Sequence, residues 1–409
     1  MKAMRLIAAA TCAALLLGMP VSAKTVFYET ESGETVQEVM SMDVPKSLDE
    51  TVSAVAGTAL EVGGKSAVLM ELSSGRVLFE KNSHEKLPIA SVTKIMTLLL
   101  VMEALDDGLI DLQDPVTCSE VAASMGGSQI WLEPGEVMTV HELVKAAAVV
   151  SANDACAALA EHVAGSVEEF VQRMNTRAAE LSMQDTLFKD CSGLDDTAYS
   201  SAHDVALMSR ELMTYPLIKS YTTIWMDTLR NGESQLVNTN KLIRFYSGAT
   251  GLKTGTTSTA GHNLSATAER SGLGFVAVIL GCSTTDERFG GARKMLDHGF
   301  ANYALYTPLV DPDALLPIPV LRGTADTVQS EVEDLTPLLV KKGEERELTC
   351  TVTLAKDVEA PVEKGQVVGT VTVSRSGETV AEYPVRAAAE VPRLNFRVCL
   401  WRLFLAISA

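Results

Sequence analysis

A serine and a lysine at the head of an apolar run most constrain how this chain can fold. Ser91 and Lys94 lie three residues apart and directly precede the apolar run 95–102. If the run is a helix, the two side chains share one face and lie one turn apart. A lysine amine with a lowered pKa can take the proton of a serine hydroxyl. The spacing therefore predicts a nucleophile and its base at a helix N-terminus, although a serine N-cap with an ordinary lysine fits the same residues.

The helix N-terminus adds a second chemical feature. Amide groups in the first turn have no intrahelical partner, so the amide of Ser91 can face a developing oxyanion. We therefore expect a reaction that passes through a tetrahedral intermediate at this position.

Ser151-Ala152-Asn153 lies between two apolar segments with helical periodicity. The Ser151 hydroxyl could relay a proton between Lys94 and a leaving-group nitrogen. The Asn153 amide could hold a substrate carbonyl and the lysine amine. Taken alone, this tripeptide is typical of a helix cap and is no evidence for catalysis.

Lys253-Thr254-Gly255 lies in a segment that is predicted to be a strand. On a strand edge, the lysine and threonine would supply a cation and a hydroxyl for a substrate carboxylate. Gly255 would let a substrate backbone approach closely, and the amide of Thr256 would be a second oxyanion donor. A surface turn is the alternative for this motif taken alone.

The length, net charge and histidine and cysteine patterns of the chain limit the classes of protein to which it can belong. The chain has 409 residues and a formal net charge of −18, which suits two or three domains and argues against nucleic-acid binding. The six histidines form no metal-binding pattern, so we expect no metal and no organic cofactor. The cysteines show no C-x-x-C spacing, and we expect mostly buried free thiols.

The N-terminus predicts export. Lys2 and Arg5 precede the apolar run 6–19, and Val21-Ser22-Ala23 offers a small-x-small cleavage site. We interpret 1–23 as a signal peptide, with an uncleaved anchor as the alternative.

After the signal peptide, the chain has four segments that differ in composition and in hydrophobic periodicity. Residues 24–58 form an acidic lead-in that we expect to be weakly structured, and 59–306 mixes helical and strand patterns. Residues 307–392 show short alternating runs that predict a small β domain, with a hairpin turn at 374–378. Residues 393–409 combine apolar side chains, a tryptophan and arginines, which suits a helix lying in a membrane interface. A C-terminal helix docked on the protein is the alternative.

The three motifs occur in this order at separations of 60 and about 100 residues, and together they resemble the signature of β-lactamases and penicillin-binding proteins. The segments 128–136, 151–155, 193–195, 200–204 and 251–255 resemble the low-molecular-mass penicillin-binding proteins, specifically the serine-type D-alanyl-D-alanine carboxypeptidases. The resemblance covers about 60–306 closely. It implies an α/β (α+β) fold: an antiparallel sheet flanked by helices, with an all-helical part, followed by a small all-β domain.

The resemblance also implies roles for single residues. Ser91 would be acylated with Lys94 as its base, and Ser151 and Asn153 would assist proton transfer and substrate placement. The substrate carboxylate would bind a second group of residues: Lys253, Thr254, Gly255 and, on a match to a family arginine, Arg288. Thr256 stands where several relatives have a bulkier residue such as histidine, which could tune deacylation. A solvated arginine at a helix start is the alternative for Arg288.

The implied function is removal of the last D-alanine from peptidoglycan stem peptides on the outer face of the cell membrane or in the cell wall, with β-lactams as covalent inhibitors. A DD-endopeptidase and a serine β-lactamase remain alternatives. The Glu-x-x-Leu-Asn run of class A β-lactamases is missing between Ser151 and Lys253, and the extra β domain also favours the carboxypeptidase. An inactive wall-binding scaffold would be expected to have lost Ser91, Lys94 or Lys253.

Overall fold

The computed structural model describes residues 24–29, 35–40, 60–333 and 335–408. The chain divides into two compact units: Val52–Ala304, here called the central unit, and Met1–Thr51 with Leu305–Ala409, here called the β unit. The predicted signal peptide lies outside the described residues. The predicted lead-in contains two strands, β1 (Lys24–Glu29) and β2 (Thr35–Met40), which pair as an antiparallel hairpin. Our expectation of a weakly structured lead-in is therefore wrong for these residues.

The central unit is built on one antiparallel sheet. Its strands are β3 (Ser66–Glu71), β4 (Val77–Lys81), β5 (Pro115–Thr117), β6 (Val137–Thr139), β7 (Met226–Leu229), β8 (Ser234–Val237), β9 (Ala249–Thr257), β10 (Gly261–Arg270) and β11 (Leu273–Cys282), and β12 (Tyr303–Tyr306) crosses its boundary. Five of them form the sheet in the order β4-β3-β11-β10-β9. The strand with the Lys-Thr-Gly motif, β9, is therefore an edge strand. Strands β5 and β6, and β7 and β8, pair as separate hairpins.

Helices cover the sheet on both faces. They are α1 (Lys94–Asp106), α2 (Glu120–Ala123), α3 (Val140–Val149), α4 (Asn153–Ala164), α5 (Val167–Glu180), α6 (Ala202–Leu212), α7 (Pro216–Thr222), α8 (Leu242–Phe245) and α9 (Thr285–Asn302). Strand alternation sends the side chains of β11 to opposite faces. Phe275 meets Phe300 of α9 with ring centroids 4.9 Å apart, whereas Val276 and Val278 belong to the core cluster that includes α1.

Helix α1 is the centre of this core. Every side chain from Lys94 to Met102 is buried, as expected for a helix that is apolar all round. Each buried leucine or methionine contributes about 1.5–3 kcal/mol relative to exposure. The core therefore fixes the start of α1, and with it the position of Lys94.

The β unit is a second sheet structure with its own core. Its further strands are β13 (Ile318–Leu321), β14 (Thr327–Val328), β15 (Ser330–Glu331), β16 (Leu338–Lys341), β17 (Leu348–Leu354), β18 (Val358–Glu359), β19 (Val367–Arg375) and β20 (Glu378–Ala387). Six strands form a sheet in the order β1-β2-β17-β19-β20-β15. Ser376 and Gly377 connect β19 to β20 with φ of 53° and 86°, so the predicted hairpin turn is confirmed.

The β unit ends in α10 (Phe396–Ser408). Within the described ranges, no helix has the length and apolar character needed to cross a membrane. The two units together match the expected fold class, an antiparallel sheet flanked by helices followed by a small β domain.

Candidate functional site

Ser91 lies in a short 3-10 turn, Ala90–Thr93, and α1 begins only at Lys94. Ala90 has a left-handed φ of 51°, a conformation that costs a non-glycine residue about 1–3 kcal/mol. A hydrogen bond of 2.9 Å joins Lys94 Nζ to Ser91 Oγ. The structure thus brings the predicted nucleophile and base into direct contact.

Lys94 is completely buried. Its Nζ also donates to the carbonyl of Ser192 at 2.7 Å. Burial lowers the pKa of Lys94, because removal from water disfavours the charged amine. A neutral amine at this position can accept the serine proton.

The carbonyl that holds Lys94 belongs to a loop organised by Asp190. The Asp190 carboxylate accepts hydrogen bonds from the amides of Ser192 and Asp195, both at 2.6 Å. Gly193, with φ of 82°, lies so close to the Ala90 carbonyl that a Cβ would collide with it. This loop therefore supports both Lys94 and the turn that carries Ser91.

Ser151 and Asn153 lie at the start of α4. Ser151 has a left-handed φ of 65°, and its buried hydroxyl finds no hydrogen-bond partner among the described residues. Asn153 Nδ2 donates to the Gly126 carbonyl at 2.6 Å, and Asn153 Oδ1 is buried without a hydrogen-bond partner among the described residues, so the expected hydrogen bond to the Lys94 amine is not formed in this structure. Buried polar groups are rarely left unpaired, so both side chains can gain partners when a substrate binds.

Lys253 lies in β9 and is 1% exposed. Its Nζ donates to the Thr254 carbonyl at 2.9 Å. Burial lowers the pKa of Lys253 well below its ordinary value, and the positive charge of Lys94 lowers it further. The two lysines are therefore neighbours that disfavour a simultaneous positive charge.

Two threonines of β9 and an arginine of α9 form further hydrogen bonds along this edge strand. Thr254 Oγ1 donates to Thr239 Oγ1 at 2.8 Å. Arg288 is 7% exposed, and its guanidinium donates to Thr256 Oγ1 at 2.9 Å and to the Gly255 carbonyl at 3.2 Å. Burial lowers the pKa of Arg288. Arg288 is thus a buried cation against β9, not a solvated arginine at a helix start.

Gly255 has a role that we did not expect. A Cβ at this position would lie 2.6 Å from the Ile89 carbonyl and 3.1 Å from the Ser91 amide nitrogen. Real Cβ atoms essentially never come within 3.0 Å of a backbone atom, so the Ile89 carbonyl excludes a side chain here. The missing side chain therefore lets β9 pack directly against the turn that carries Ser91.

Sequence reasoning missed Asp154, which is buried beside Asn153. Its carboxylate accepts hydrogen bonds from the amides of Ile130 and Leu132, each at 3.1 Å. It thereby ties the loop between α2 and β6 to the start of α4. An acidic residue in the first turn of a helix indicates only a favourable interaction with the helix dipole, so no local pattern points to these partners.

Thr239 and Asp190 were also missed. The backbone amide of Thr239 donates to the Val149 carbonyl at 3.1 Å, which connects the Ser151 region to β9. Asp190 precedes Ser192 by two residues, and this spacing is typical of an Asx turn. That pattern could have predicted the loop, but not its contact with Lys94.

The assembled geometry defines a class of protein. A serine bonded to a buried lysine, two unpaired polar groups and a cationic strand edge suit acyl transfer from a peptide with a free carboxylate. Residues 51–284 match the family model of D-alanyl-D-alanine carboxypeptidases, and residues 303–393 match the model of the penicillin-binding protein 5 C-terminal domain. The chain therefore belongs to the D-alanyl-D-alanine carboxypeptidase family, the serine peptidases among the low-molecular-mass penicillin-binding proteins.

Individual relatives agree with this assignment. D-alanyl-D-alanine carboxypeptidase DacF of Bacillus subtilis is 43% identical over 343 residues, which cover 83% of this chain and 88% of that protein. The structure of penicillin-binding protein 5 from Haemophilus influenzae is 30% identical with a TM-score of 0.69, covering 82% of this chain and 99% of that one. Penicillin-binding protein D2 from Listeria monocytogenes in its ampicillin-bound form is 30% identical with a TM-score of 0.54, covering 59% of this chain and 100% of that one.

Proposed function

We propose that this chain removes the terminal D-alanine from peptidoglycan stem pentapeptides through an acyl-enzyme on Ser91. The observation that carries this proposal is the 2.9 Å contact between Ser91 Oγ and the Nζ of the buried Lys94. An extracytoplasmic place of action fits the family, because its peptidoglycan substrate lies outside the cytoplasmic membrane.

The contact between Ser91 and Lys94 supports acylation by the following steps. Ser91 Oγ attacks the carbonyl carbon between the two D-alanines while Lys94 accepts its proton, and the amides of Ser91 and Thr256 stabilise the oxyanion. The carbon–nitrogen bond breaks as Ser151, which has an unpaired hydroxyl, relays a proton to the leaving amine. D-alanine departs, and water then hydrolyses the ester on Ser91.

Binding of the substrate carboxylate influences which of the two lysines, Lys94 or Lys253, carries a positive charge. In this proposal Lys253, Thr254 and Arg288 bind this carboxylate; the hydroxyl of Thr254 and the buried guanidinium of Arg288 beside β9 support it. A bound anion favours the charged form of Lys253, and the resulting charge disfavours a proton on Lys94. A substrate with a free carboxylate therefore helps to create the neutral base that its own hydrolysis needs.

The similar penicillin-binding protein D2 from Listeria has a structure in an ampicillin-bound form, and on this chain we propose that β-lactams acylate Ser91. A β-lactamase releases the penicilloyl product rapidly, whereas a carboxypeptidase retains it. Comparing penicillin hydrolysis with D-alanine release from a peptide therefore distinguishes a β-lactamase from a carboxypeptidase.

The experiment is D-alanine release from diacetyl-Lys-D-Ala-D-Ala by the purified mature protein, beside penicillin hydrolysis by the same sample. We expect rapid D-alanine release, loss of this activity in Ser91→Ala, and slow turnover of penicillin. Fast penicillin turnover without D-alanine release would identify a β-lactamase. Neither reaction, from a folded protein, would identify an inactive scaffold.

We also propose that the exported chain lies on the membrane surface through α10. Among the side chains that the structure describes, its exposed large apolar ones are Phe396, Leu400, Trp401, Phe404 and Ile407. At 100° per residue they fall within an arc of about 140°, and Arg397 falls inside the same arc. Exposed tryptophan and phenylalanine beside an arginine that can reach the lipid headgroups suit the membrane interface.

A further inference from the structure

Asp196 links the loop at 190–197 to the hairpin turn between β9 and β10. Thr257 Oγ1 donates to Asp196 Oδ1 at 2.9 Å, and Thr259 Oγ1 donates to Asp196 Oδ2 at 2.8 Å. Thr257 Oγ1 itself accepts a hydrogen bond from the amide of Ala260 at 3.0 Å. The carboxylate therefore holds a turn that is already closed by its own hydrogen bond. The mechanism described above does not use Asp196.

The loop that carries Asp196 also holds the proposed base. Its Ser192 carbonyl accepts a hydrogen bond from Lys94 Nζ at 2.7 Å. The amide of Asp195 donates to the Asp190 carboxylate at 2.6 Å. Because these bonds fix the loop up to the residue before Asp196, its carboxylate is a fixed point from which β9 can be held relative to Lys94.

Strand β9 depends on contacts of this kind because it is an edge strand. In the sheet of the central unit only β10 pairs with it. On the side of α9, Arg288 donates to Thr256 Oγ1 at 2.9 Å. Side chains alternate along a strand, so Arg288 holds Thr256 on one face and Asp196 holds the neighbouring Thr257 on the other. The end of β9 is thus held between two side chains from outside the sheet.

We propose that Asp196 is a positioning residue for the oxyanion site. By holding Thr257, it fixes the amide of the preceding Thr256 relative to Ser91. The inference rests on the proposed function, in which the amides of Ser91 and Thr256 stabilise the oxyanion. Asp196 contacts no reacting atom and acts through β9.

Asp196→Ala removes both contacts with the turn and leaves the serine and the two lysines in place. Loss of a complete oxyanion donor costs about 100-fold or more in rate, so a donor that is present but poorly held should cost less, about tenfold. Acylation and deacylation both pass through an oxyanion, and we expect both rate constants with penicillin to fall by this factor. The dissociation constant of the noncovalent complex should change by less than about twofold, because only interactions specific to the transition state are weakened.

The experiment measures these three constants for the purified mature protein by stopped-flow acylation and by the recovery of free enzyme. Asp196 is exposed, so the alanine variant should keep the denaturant midpoint of the wild type. Asp107→Ala is the matched control, because it removes the charge of another exposed aspartate, which follows α1. It should leave all three constants unchanged.

Asp196→Asn tests whether the contacts rather than the charge matter. The amide oxygen of asparagine can accept from one threonine hydroxyl and its amide nitrogen can donate to the other. We therefore expect this variant to recover most of the lost rate, to within about threefold of the wild type. Rates as low as those of Asp196→Ala, from a folded asparagine variant, would count against positioning by these contacts.

Thr259→Val tests whether Asp196 acts through the turn. This substitution removes one of the two donors to the carboxylate. Residues that act together are not additive, so Asp196→Ala/Thr259→Val should be no slower than Asp196→Ala alone. Losses that multiply in the double variant would show that the two residues act separately and would overturn the inference.

Two further results would overturn the inference and leave the proposed function standing. One is unchanged acylation and deacylation in Asp196→Ala. The other is a loss confined to the dissociation constant, which would assign Asp196 to binding rather than to the oxyanion site. Failure of the wild-type protein to form an acyl-enzyme on Ser91 would overturn the proposed function, and this inference with it.

Discussion

Three buried basic side chains, Lys94, Lys253 and Arg288, lie at the candidate site. Burial lowers the pKa of Lys94, Lys253 and Arg288, and no carboxylate side chain of the described residues is hydrogen-bonded to any of them. A substrate carboxylate would supply the opposite charge that this group lacks. In the proposed function, this accounts for a preference for peptides with a free C-terminus.

The lysine pair predicts how acylation depends on pH. Lys94 acts only when it is neutral, so the second-order rate of acylation by penicillin should rise with pH until Lys94 is deprotonated. Lys253 binds the carboxylate only when it is charged, so the rate should fall again at higher pH. Because the pKa of each lysine is lowered from 10.5, both limbs should lie below pH 10.5. Stopped-flow acylation measures this profile, and a rate that still rises at pH 10.5 would contradict the assignment of Lys94 as base.

Gly255→Ala tests the close packing of β9 against the Ser91 turn. The added Cβ would meet the Ile89 carbonyl and the Ser91 amide, both backbone atoms that cannot move aside independently. We expect acylation to slow by about 100-fold or more, because displacement by about 1 Å has this effect on a reacting group.

Gly290→Ala is the control for this substitution. A Cβ there meets nothing within 4 Å, and alanine favours the helix by about 1 kcal/mol. Normal acylation in Gly255→Ala would show that β9 does not position Ser91.

At the scale of elements, Asp154 joins the loop at 126–132 to α4. Asp154→Ala would leave the buried amides of Ile130 and Leu132 without an acceptor, and we expect a loss of about 2–4 kcal/mol in the free energy of unfolding. Denaturant unfolding measures this loss. Asp107→Ala, which removes an exposed acid after α1, should change stability by less than about 0.5 kcal/mol, and an equal loss in both variants would count against the role of Asp154.

The elements with strong periodicity were predictable from the sequence. Apolar periodicity predicts helices over 139–150, 152–163 and 167–181 and a strand over 248–257. The structure has α3, α4, α5 and β9 at these positions. The 3-10 turn at Ser91 was not predictable. Its left-handed Ala90 is held by Gly193 and Gly255 from elsewhere in the chain, and such contacts leave no local pattern.

The hairpin of β7 and β8 was also missed. Its strands are four residues each, too short for a clear alternation. Arg230, at the turn, donates to the Glu136 carboxylate at 2.7 Å and to the Ile130 carbonyl at 2.8 Å. Contacts over about 100 residues of sequence stabilise this hairpin, so local propensity could not reveal it.

At the scale of the whole molecule, the β unit contains residues from both ends of the chain. Strand β2 pairs with β17, with Val39 opposite Cys350. The sequence predicted only a weakly structured acidic lead-in for 24–58, with no partner strand. Pairing between segments about 300 residues apart is a tertiary event that composition does not indicate.

Membrane association tests the proposed role of α10. Deletion of 393–409 should release the signal-cleaved protein from anionic lipid vesicles, because the exposed apolar face would be lost. Phe404→Glu, which keeps the length of the chain, should weaken binding in the same assay. Unchanged binding of both proteins would show that α10 is not the anchor.

The most direct test of the central claim is to find the residue that penicillin acylates. The mature protein is incubated with penicillin, digested and mapped by mass spectrometry. We predict one adduct, on the peptide that contains Ser91, and its absence from Ser91→Ala. An adduct on Ser151, or one that persists in Ser91→Ala, would contradict the assignment of Ser91 as the nucleophile.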